Sequence, residues 1–514
     1  PNGRLVINHQ DVPAFGHMRF PSFFSIQPRA TPLAAPAHGR LRTSPMTRYG
    51  MHRNRTRHRF RNQKSLPFQP LHAGARKPAI QRITSNGTIA AAAMVLAAIV
   101  AVIVANTDAY FAVREFLEAP LAVQVGPFIG SISLEGFIND FLMAIFFLSV
   151  GIELKYELTA GVLTNPRHAL MPILAACGGV AVPALIYSAL NAGGNIGGWA
   201  VPIATDIAFA LGIMSLTGDK VAPAAKVFFS TLAIADDLLG IIVIALFYGQ
   251  TPSIPWLAAA VGVCVLLGLL NVLQVFHARY YVILGILLWF CMLNSGVHAA
   301  LAGVILAFFL PARSDIRLDS VKDWLSDRGD ELDDIYDPQM HVLGQHEFTH
   351  TAKRVENIMH RVTPPLQRVE TTIATPVNFI ILPLFAFANA QLRLVGVDMA
   401  SVVTDPVALG CFFGLVLGKP IGIIAVTALS VKDGFSLLPE GATWGQMLCV
   451  GVLGGVGFTM CILISGLSFS SGPEQLAAKC AVLAASVTAS LLGLALLNIT
   501  HAAKARKGEQ AAAE

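Results

Sequence analysis

Long stretches of apolar residues without any charge recur along most of the chain. Residues 83–107, 168–205 and 441–473 contain no Asp, Glu, Lys or Arg. A helix needs about 20 predominantly apolar residues to cross the hydrocarbon core of a bilayer, so each stretch holds one or two crossings. The pattern predicts an all-α polytopic membrane protein, because helices pair their own backbone polar groups inside the lipid.

Twelve transmembrane helices are predicted from the apolar stretches and the polar segments between them. They lie at 86–106, 134–158, 168–190, 199–217, 222–248, 256–276, 279–293, 297–311, 373–392, 405–430, 446–467 and 476–500. These spans form two membrane blocks, residues 82–311 and 371–500, separated by a long polar loop at 312–370. A basic tail precedes them at 1–81, and a short tail follows at 501–514.

Composition agrees with a membrane protein and argues against several other classes. Only 13% of the residues are charged, whereas about 25% is usual for soluble domains. The seven cysteines lie in apolar segments without CxxC spacing, so we expect neither disulfides nor a metal cluster. No triad, metal-ligand cluster or phosphate loop indicates an enzyme or a cofactor.

The net charge of +5 comes largely from the N-terminal tail. Its arginine run at 53–61 is open to interpretation as a nucleic-acid site or a targeting peptide. We interpret it instead as a disordered tail that stays beside anionic lipid on the cytoplasmic side, and we expect no nucleic-acid partner.

The distribution of Lys and Arg predicts cytoplasmic N- and C-termini, because cytoplasmic loops are enriched in these residues. In this orientation, six basic residues lie in the short inner loops and three lie in the outer loops. The inner set is Lys155, Arg167, Lys220, Lys226, Arg279 and Lys432, and the outer set is Arg114, Arg393 and Lys479.

Two segments outside the membrane have distinct patterns. Residues 121–135 alternate apolar and polar side chains around a Gly-Pro pair, which predicts a β-hairpin in the first outer loop. Residues 312–370 form an acidic-leaning inner loop that has helical character from about His346. A loop of this length is usually functional or disordered, and the sequence does not decide between the two.

The fifth span contains two adjacent acids, Asp236 and Asp237, near its middle. Each charge at the centre of a membrane helix costs about 2.5–3.5 kcal/mol on insertion scales. Such residues indicate a watery cavity, a bound cation or a proton. Neighbouring side chains point about 100° apart on a helix, so one acid can face a funnel while the other faces a packed helix.

Two further spans are predicted to be interrupted. In the fourth, Gly197, Gly198 and Pro202 precede Thr205 and Asp206, and proline removes a backbone donor. In the eleventh, glycines are concentrated before a threonine; these residues are Gly451, Gly454, Gly455, Gly457 and Thr459. Interrupted helices in the middle of spans 3–5 and 10–12 are typical of inverted-repeat transporters with an ion site at the midplane.

Lys419 is the only cation inside the tenth span. A buried ammonium group needs a carboxylate partner, and the two aspartates of the fifth span are candidates. Asp206 is expected beside the positive ends of the half-helices, and Lys419 beside their negative ends.

Other polar residues of the spans carry weaker signals. Asn139 and Asp140 open the second span and are candidates for an ion entrance. Glu153 and Glu157 lie four residues apart near its inner end and therefore share one face. His298, in the eighth span, fits either a packed polar contact or a sensor of pH.

The ordered motifs of residues 82–500 resemble the NhaA-type sodium/proton antiporters. The matching strings are INDFLMAIFFLSVGIELKYEL, WAVPIATDIAFALG, LAIADDLLGIIVIALFY, NSGVHAALAGVILAFFLP, ILPLFAFANA, GLVLGKPIGI and GGVGFTMCILISGLSF. The basic tail and most of the loop lie outside the resemblance. It implies an electrogenic exporter of Na+ or Li+ in the bacterial inner membrane, which takes up H+ in return.

The resemblance also implies roles for individual residues. Asp237 corresponds to the main carboxylate for the cation and the proton, and Asp236 to the neighbour that pairs with Lys419. Thr205 and Asp206 correspond to the polar pair of the first broken helix. The positions linked to pH response are Glu153, Glu157, Glu370 and His298. The hairpin at 121–135 corresponds to the one that joins two protomers.

The sequence also departs from the family at positions linked to pH. Tyr156 stands where some members have a basic residue, and Thr371 and Thr375 stand where some have histidines, so the pH of activation stays open.

Two other functions remain open at this point. A sodium-coupled symporter of an organic substrate predicts sodium-dependent uptake, and a non-transporting sensor predicts a partner that binds residues 312–370.

Overall fold

The computed structural model describes residues 87–125, 128–217, 221–249, 251–314, 316, 318–434, 438–439, 442–469 and 472–513. The predicted basic tail at 1–81 lies outside the described residues.

The first membrane block contains nine helices and one hairpin within its described part. The elements are α1 (Gly87–Ala105), α2 (Ala109–Glu118), β1 (Pro120–Val125), β2 (Phe128–Ser133), α3 (Leu134–Thr159), α4 (Pro166–Leu190), α5 (Ile207–Leu216), α6 (Pro223–Phe247), α7 (Ile254–Val272), α8 (Ala278–Ser295) and α9 (Leu301–Phe309). Two 3₁₀ turns, Ile196–Gly198 and Val201–Ile203, lead into α5.

The inner loop and the second membrane block supply the remaining helices. They are α10 (Leu318–Ile335), α11 (His346–Val362), α12 (Pro365–Asn389), α13 (Met399–Thr404), α14 (Pro406–Lys432), α15 (Trp444–Gly454), α16 (Phe458–Ser468) and α17 (Pro473–Ala513). In the inner loop, α10 packs against α11, which begins at the predicted His346. The helix that we predicted from 373 begins earlier, at Pro365.

The all-α polytopic fold is confirmed. In the described part of the chain, ten helical segments are long and apolar enough to cross a membrane. The bent pair α15 and α16, which meet at 41°, makes an eleventh. The eighth predicted span, 297–311, is helical over only part of its length, because Gly296 adopts φ 81° and the chain becomes helical again only at Leu301. The resulting α9 has nine residues, or about 14 Å, so non-helical backbone at 297–300 and 310–311 makes up the rest of this span.

Close packing against α3 holds the short α9 in place. A Cβ atom on Gly303 of α9 would lie 2.7 Å from Leu148 N of α3, so only glycine permits this approach. At the inner end, Lys155 Nζ donates to the carbonyl oxygens of Phe308 at 2.7 Å and Leu310 at 2.5 Å. A cation therefore caps the negative end of α9.

The contacts among the helices follow the predicted repeats. In the first repeat α4 packs against α6, and at the corresponding place in the second α14 packs against α17. The two repeats also interlock, because α5 contacts α17 and α15 contacts α6. The most extensive contact, between α4 and α14, brings the first helix of one repeat against the first helix of the other.

The predicted hairpin is present as an antiparallel pair of strands. Its register runs from Pro120 opposite Ser133 to Val125 opposite Phe128. The Gly-Pro pair at 126–127 lies outside the described residues. Ser133 then begins α3 by accepting a hydrogen bond from Gly136 N at 3.0 Å, which ties the hairpin directly to the second span.

Candidate ion-binding site at the crossing of two broken helices

Two unwound segments meet inside the membrane. Residues 204–206 are not helical and precede α5, and residues 455–457 separate α15 from α16. The backbone N–H of Asp206 donates to Val456 O at 2.7 Å. Each break therefore supplies a hydrogen-bond partner for a backbone group that the other break leaves unpaired. A Cβ atom on Gly457 would lie 2.7 Å from Ala204 O, and this close approach explains the glycine.

The carboxylate of Asp206 lies between the N-termini of two half-helices. Its Oδ1 accepts from Phe209 N at 3.0 Å and so caps α5. Its Oδ2 accepts from the hydroxyl of Thr459 at 2.5 Å and from the backbone N–H of Thr459 at 3.2 Å, in the first turn of α16. Two positive helix ends therefore stabilise one negative charge that is 3% exposed.

Asp236, Lys419 and Thr205 form a buried polar cluster. Lys419 Nζ is ion-paired with Asp236 Oδ2 and donates to Thr205 Oγ1 at 3.0 Å. The Thr205 hydroxyl lies 2.7 Å from Asp236 Oδ2 and 2.9 Å from Gly454 O, the carbonyl at the end of α15. The lysine therefore lies near the negative end of one half-helix, immediately after a π-helical turn at Gly414–Gly418.

Two carboxylate oxygens in this region have no hydrogen-bond partner among the described residues. They are Asp236 Oδ1 and Asp237 Oδ1, on residues that are 2% and 3% exposed. Asp237 also lies within electrostatic range of Asp206 and Glu153. A buried polar atom without a partner is costly, so these oxygens are suited to accept a proton or a cation.

A small cavity adjoins the cluster. Its polar lining comes from Thr205, Asp236, Lys419 and Gly454, and its apolar walls include Phe229 and Ile423. Within the described residues, no group of three His, Cys, Asp or Glu side chains has the arrangement of a resident metal centre. A small hard cation would therefore need hydroxyl or carbonyl oxygens in addition to the carboxylates.

Glu153 connects this region electrostatically to the inner side. Its carboxylate lies within electrostatic range of Glu370 on α12 and of Glu157 one turn further along α3. Glu157 also has a local structural role, because its Oε2 accepts from Val162 N at 2.8 Å in the turn after α3.

His298 lies apart from these glutamates. It is in the non-helical segment before α9, where its Nδ1 accepts a long hydrogen bond of 3.4 Å from Ala300 N. Lys155, which lies between Glu153 and Glu157 on α3, contacts the opposite end of α9, about 14 Å away along the helix axis. The four residues that we grouped as pH-responsive therefore occupy two separate places.

Asn139 and Asp140 lie in a π-helical turn at Ile138–Leu142 near the start of α3. Asn139 pairs with Asn389 of α12, whose Nδ2 donates to Asn139 Oδ1 at 2.7 Å. The Asp140 side chain forms no hydrogen bond within the part of the chain that the structure describes. Asn389 was not among the predicted site residues, although an amide in the apolar string ILPLFAFANA is a recognisable signal.

Comparison with known proteins places these features in a family. The family model described as Na+/H+ antiporter 1 matches residues 81–497. The Na+/H+ antiporter NhaA of Helicobacter pylori is 41% identical over 405 residues, which cover 77% of this chain and 90% of the relative. The NhaA of Janthinobacterium is 40% identical, with coverages of 78% and 88%, and that of Dichelobacter nodosus is 38% identical, with coverages of 88% and 98%. The chain is a member of the Na+/H+ antiporter 1 family.

Proposed function

We propose that this membrane protein exchanges Na+ for H+ at the crossing of its two broken helices. The observation that carries the proposal is the pair of buried, unpartnered oxygens on Asp236 and Asp237. Membership of an antiporter family supports the same reaction, and it makes the protein a transporter rather than an enzyme.

Asp237 is the main carboxylate for the cation and the proton in this proposal. Among the described residues, it has no cationic partner as close as the one that Lys419 provides for Asp236. Burial favours the protonated form of a carboxyl group when no cation compensates its charge. Protons and Na+ therefore compete for the same oxygens, and each displaces the other on the side of the membrane where it is abundant.

The cluster of Asp236, Lys419 and Thr205 supplies the second titrating group. Na+ that binds both aspartates weakens the ion pair to Lys419, so the second proton leaves either Asp236 or the ammonium group. The exchange of two protons for one monovalent cation moves net charge across the membrane, which makes the cycle electrogenic. Li+, which also binds oxygen ligands, is a second cargo.

We place the protein in the bacterial inner membrane with both termini in the cytoplasm, where it exports cytoplasmic Na+ for sodium and pH homeostasis. The excess of Lys and Arg in the inner loops supports this orientation. The hairpin β1–β2 is an isolated two-stranded sheet among the described residues, and such a sheet is marginally stable by itself, which supports a role in joining two protomers.

Everted membrane vesicles from cells that lack their own antiporters provide the test. Respiration acidifies the lumen, a pH-sensitive dye follows it, and Na+ or Li+ is then added at several pH values. We expect each cation to collapse the proton gradient in the wild-type protein and to have no effect in Asp237→Asn.

The isosteric Asn retains the size of the side chain, so correct insertion of the variant is checked by its yield and thermal stability in detergent. No response of the wild-type protein at any pH would refute the proposal. Sodium-dependent uptake of an organic solute would then support a symporter instead.

A further inference from the structure

The thiol of Cys461 contacts the first helix break. Cys461 lies one turn into α16 and is fully buried. Its Sγ lies 3.4 Å from Ala204 O, within hydrogen-bonding distance for sulfur, and the thiol donates to this carbonyl. Ala204 directly precedes Thr205 and Asp206, so the contact is made to the backbone that carries both side chains.

This contact joins others that bind the same segment to the second break and to α16. The Asp206 N–H donates to Val456 O, and Thr459 donates to the Asp206 carboxylate. Gly457 makes the thiol contact possible, because a side chain there would overlap both Sγ and Ala204 O. Hydrogen bonds to Val456, Thr459 and Cys461 thus fix the unwound segment at 204–206.

Cys461 also differs from an ordinary packed cysteine because charged side chains lie near it. It lies within electrostatic range of Lys419, Asp236 and Asp206, the charged groups around the crossing. Small changes in the backbone at 204 move the Thr205 hydroxyl, which lies 2.7 Å from Asp236 Oδ2. The thiol is therefore mechanically linked to the cluster that binds the ion, although it does not touch that cluster.

We propose that Cys461 is a positioning residue of the ion site: its thiol holds the Ala204 carbonyl, and this orients Thr205 and Asp206 for cation binding. The proposal rests on the function proposed above. It assigns Cys461 a role in affinity for the cation rather than in the transfer of protons.

The transport test uses Cys461→Ala, which removes the donor, and Cys461→Ser, which replaces it with a stronger one. A net hydrogen bond contributes about 0.5–1.5 kcal/mol, so we expect the alanine variant to raise the apparent KM for Na+ about 2- to 10-fold. The maximal rate should stay close to that of the wild type, and serine should restore the KM. Cys291→Ala serves as the control, since Cys291 is also buried but lies on α8, away from the crossing.

A direct measurement of the bond separates this inference from the function itself. The infrared S–H stretching band of Cys461, isolated as the difference between wild type and Cys461→Ala, should lie at lower frequency than that of Cys291. Addition of Na+ should shift the Cys461 band alone. A Cys461 band at the position of a free thiol, or an unchanged KM in an active Cys461→Ala protein, would overturn the inference. Inactivity of the wild type would instead refute the proposed function.

Discussion

At the scale of single residues, Lys419 and Asp236 depend on each other. Lys419 is 1% exposed, and the ammonium group compensates a carboxylate that would otherwise lie uncompensated inside the membrane. Removing one partner of a buried ion pair costs about 3–5 kcal/mol. We therefore expect Lys419→Met to lower the midpoint of thermal unfolding in detergent, with a loss of about 3 kcal/mol.

The double variant Lys419→Met with Asp236→Asn should recover most of that stability, because no unpaired charge remains. Lys432→Met at the exposed end of α14 is the control for loss of a lysine, and it should melt like the wild type. A double variant as unstable as the single one would show that Lys419 stabilises the fold by a route other than this pair.

The residues of the site were easier to predict than their partners. Asp206, Asp236, Asp237 and Lys419 are recognisable because a charge in an apolar span is conspicuous in the sequence. Sequence could not say which oxygen stays unpartnered, because that depends on helix rotation and on contacts between residues over 180 positions apart. The thiol of Cys461 carried no signal, since buried cysteines are ordinary in apolar segments.

At the scale of elements, the break between α15 and α16 depends on the close approach of its backbone to the backbone of the first break. Gly457→Ala would place a Cβ atom 2.7 Å from Ala204 O, so the two breaks would have to separate. We expect this variant to lose at least nine-tenths of the exchange activity measured in everted vesicles, because the separation removes the contacts that hold Asp206.

Gly466 provides a control position in α16, the half-helix that Gly457 precedes. A Cβ atom there would lie 3.8 Å from Gln475 Nε2, an ordinary contact, so Gly466→Ala should keep full activity. Equal activity of the two variants would contradict a requirement for close approach at the crossing.

The packing of α9 on α3 makes a second prediction for these elements. Gly303→Ala adds a methyl group 2.7 Å from Leu148 N, and overpacking of this kind costs about 1–3 kcal/mol. The thermal midpoint should fall accordingly. Gly262→Ala on α7 meets nothing within 4 Å and should be neutral or slightly stabilising, since alanine favours helices. A thermal midpoint unaffected by Gly303→Ala would show that α9 and α3 can move apart at little cost in stability.

The packing of α9 on α3 also explains why the helix of the eighth predicted span is short. An apolar run such as 297–311 is long enough for most of a crossing, and hydropathy does not report where the backbone leaves the helix. Gly296 in the left-handed region and the lysine cap from α3 decide that, and both depend on tertiary contacts. The interrupted fourth and eleventh spans were more predictable, because their Gly and Pro residues lie within the run itself.

At the scale of the whole molecule, the hairpin and the transport core should be separable. If β1–β2 joins two protomers, its deletion with a short Gly-Ser replacement of residues 121–132 converts dimers to monomers in native mass spectrometry. Exchange in everted vesicles should persist, because no residue of the site lies in the hairpin. Dimers that persist after the deletion would show that the interface between protomers lies on another surface.

The unpartnered oxygens of Asp236 and Asp237 have a consequence for leakage. An exchanger dissipates energy whenever its binding site changes sides without a bound ion, because the gradient of one ion then runs down without driving transport of the other. Each uncompensated charge that must move within the membrane interior adds about 2.5–3.5 kcal/mol, which slows an empty turnover roughly 100-fold. If the proposed site is correct, the same missing hydrogen bonds also penalise slippage, and we expect tight coupling without a separate gate.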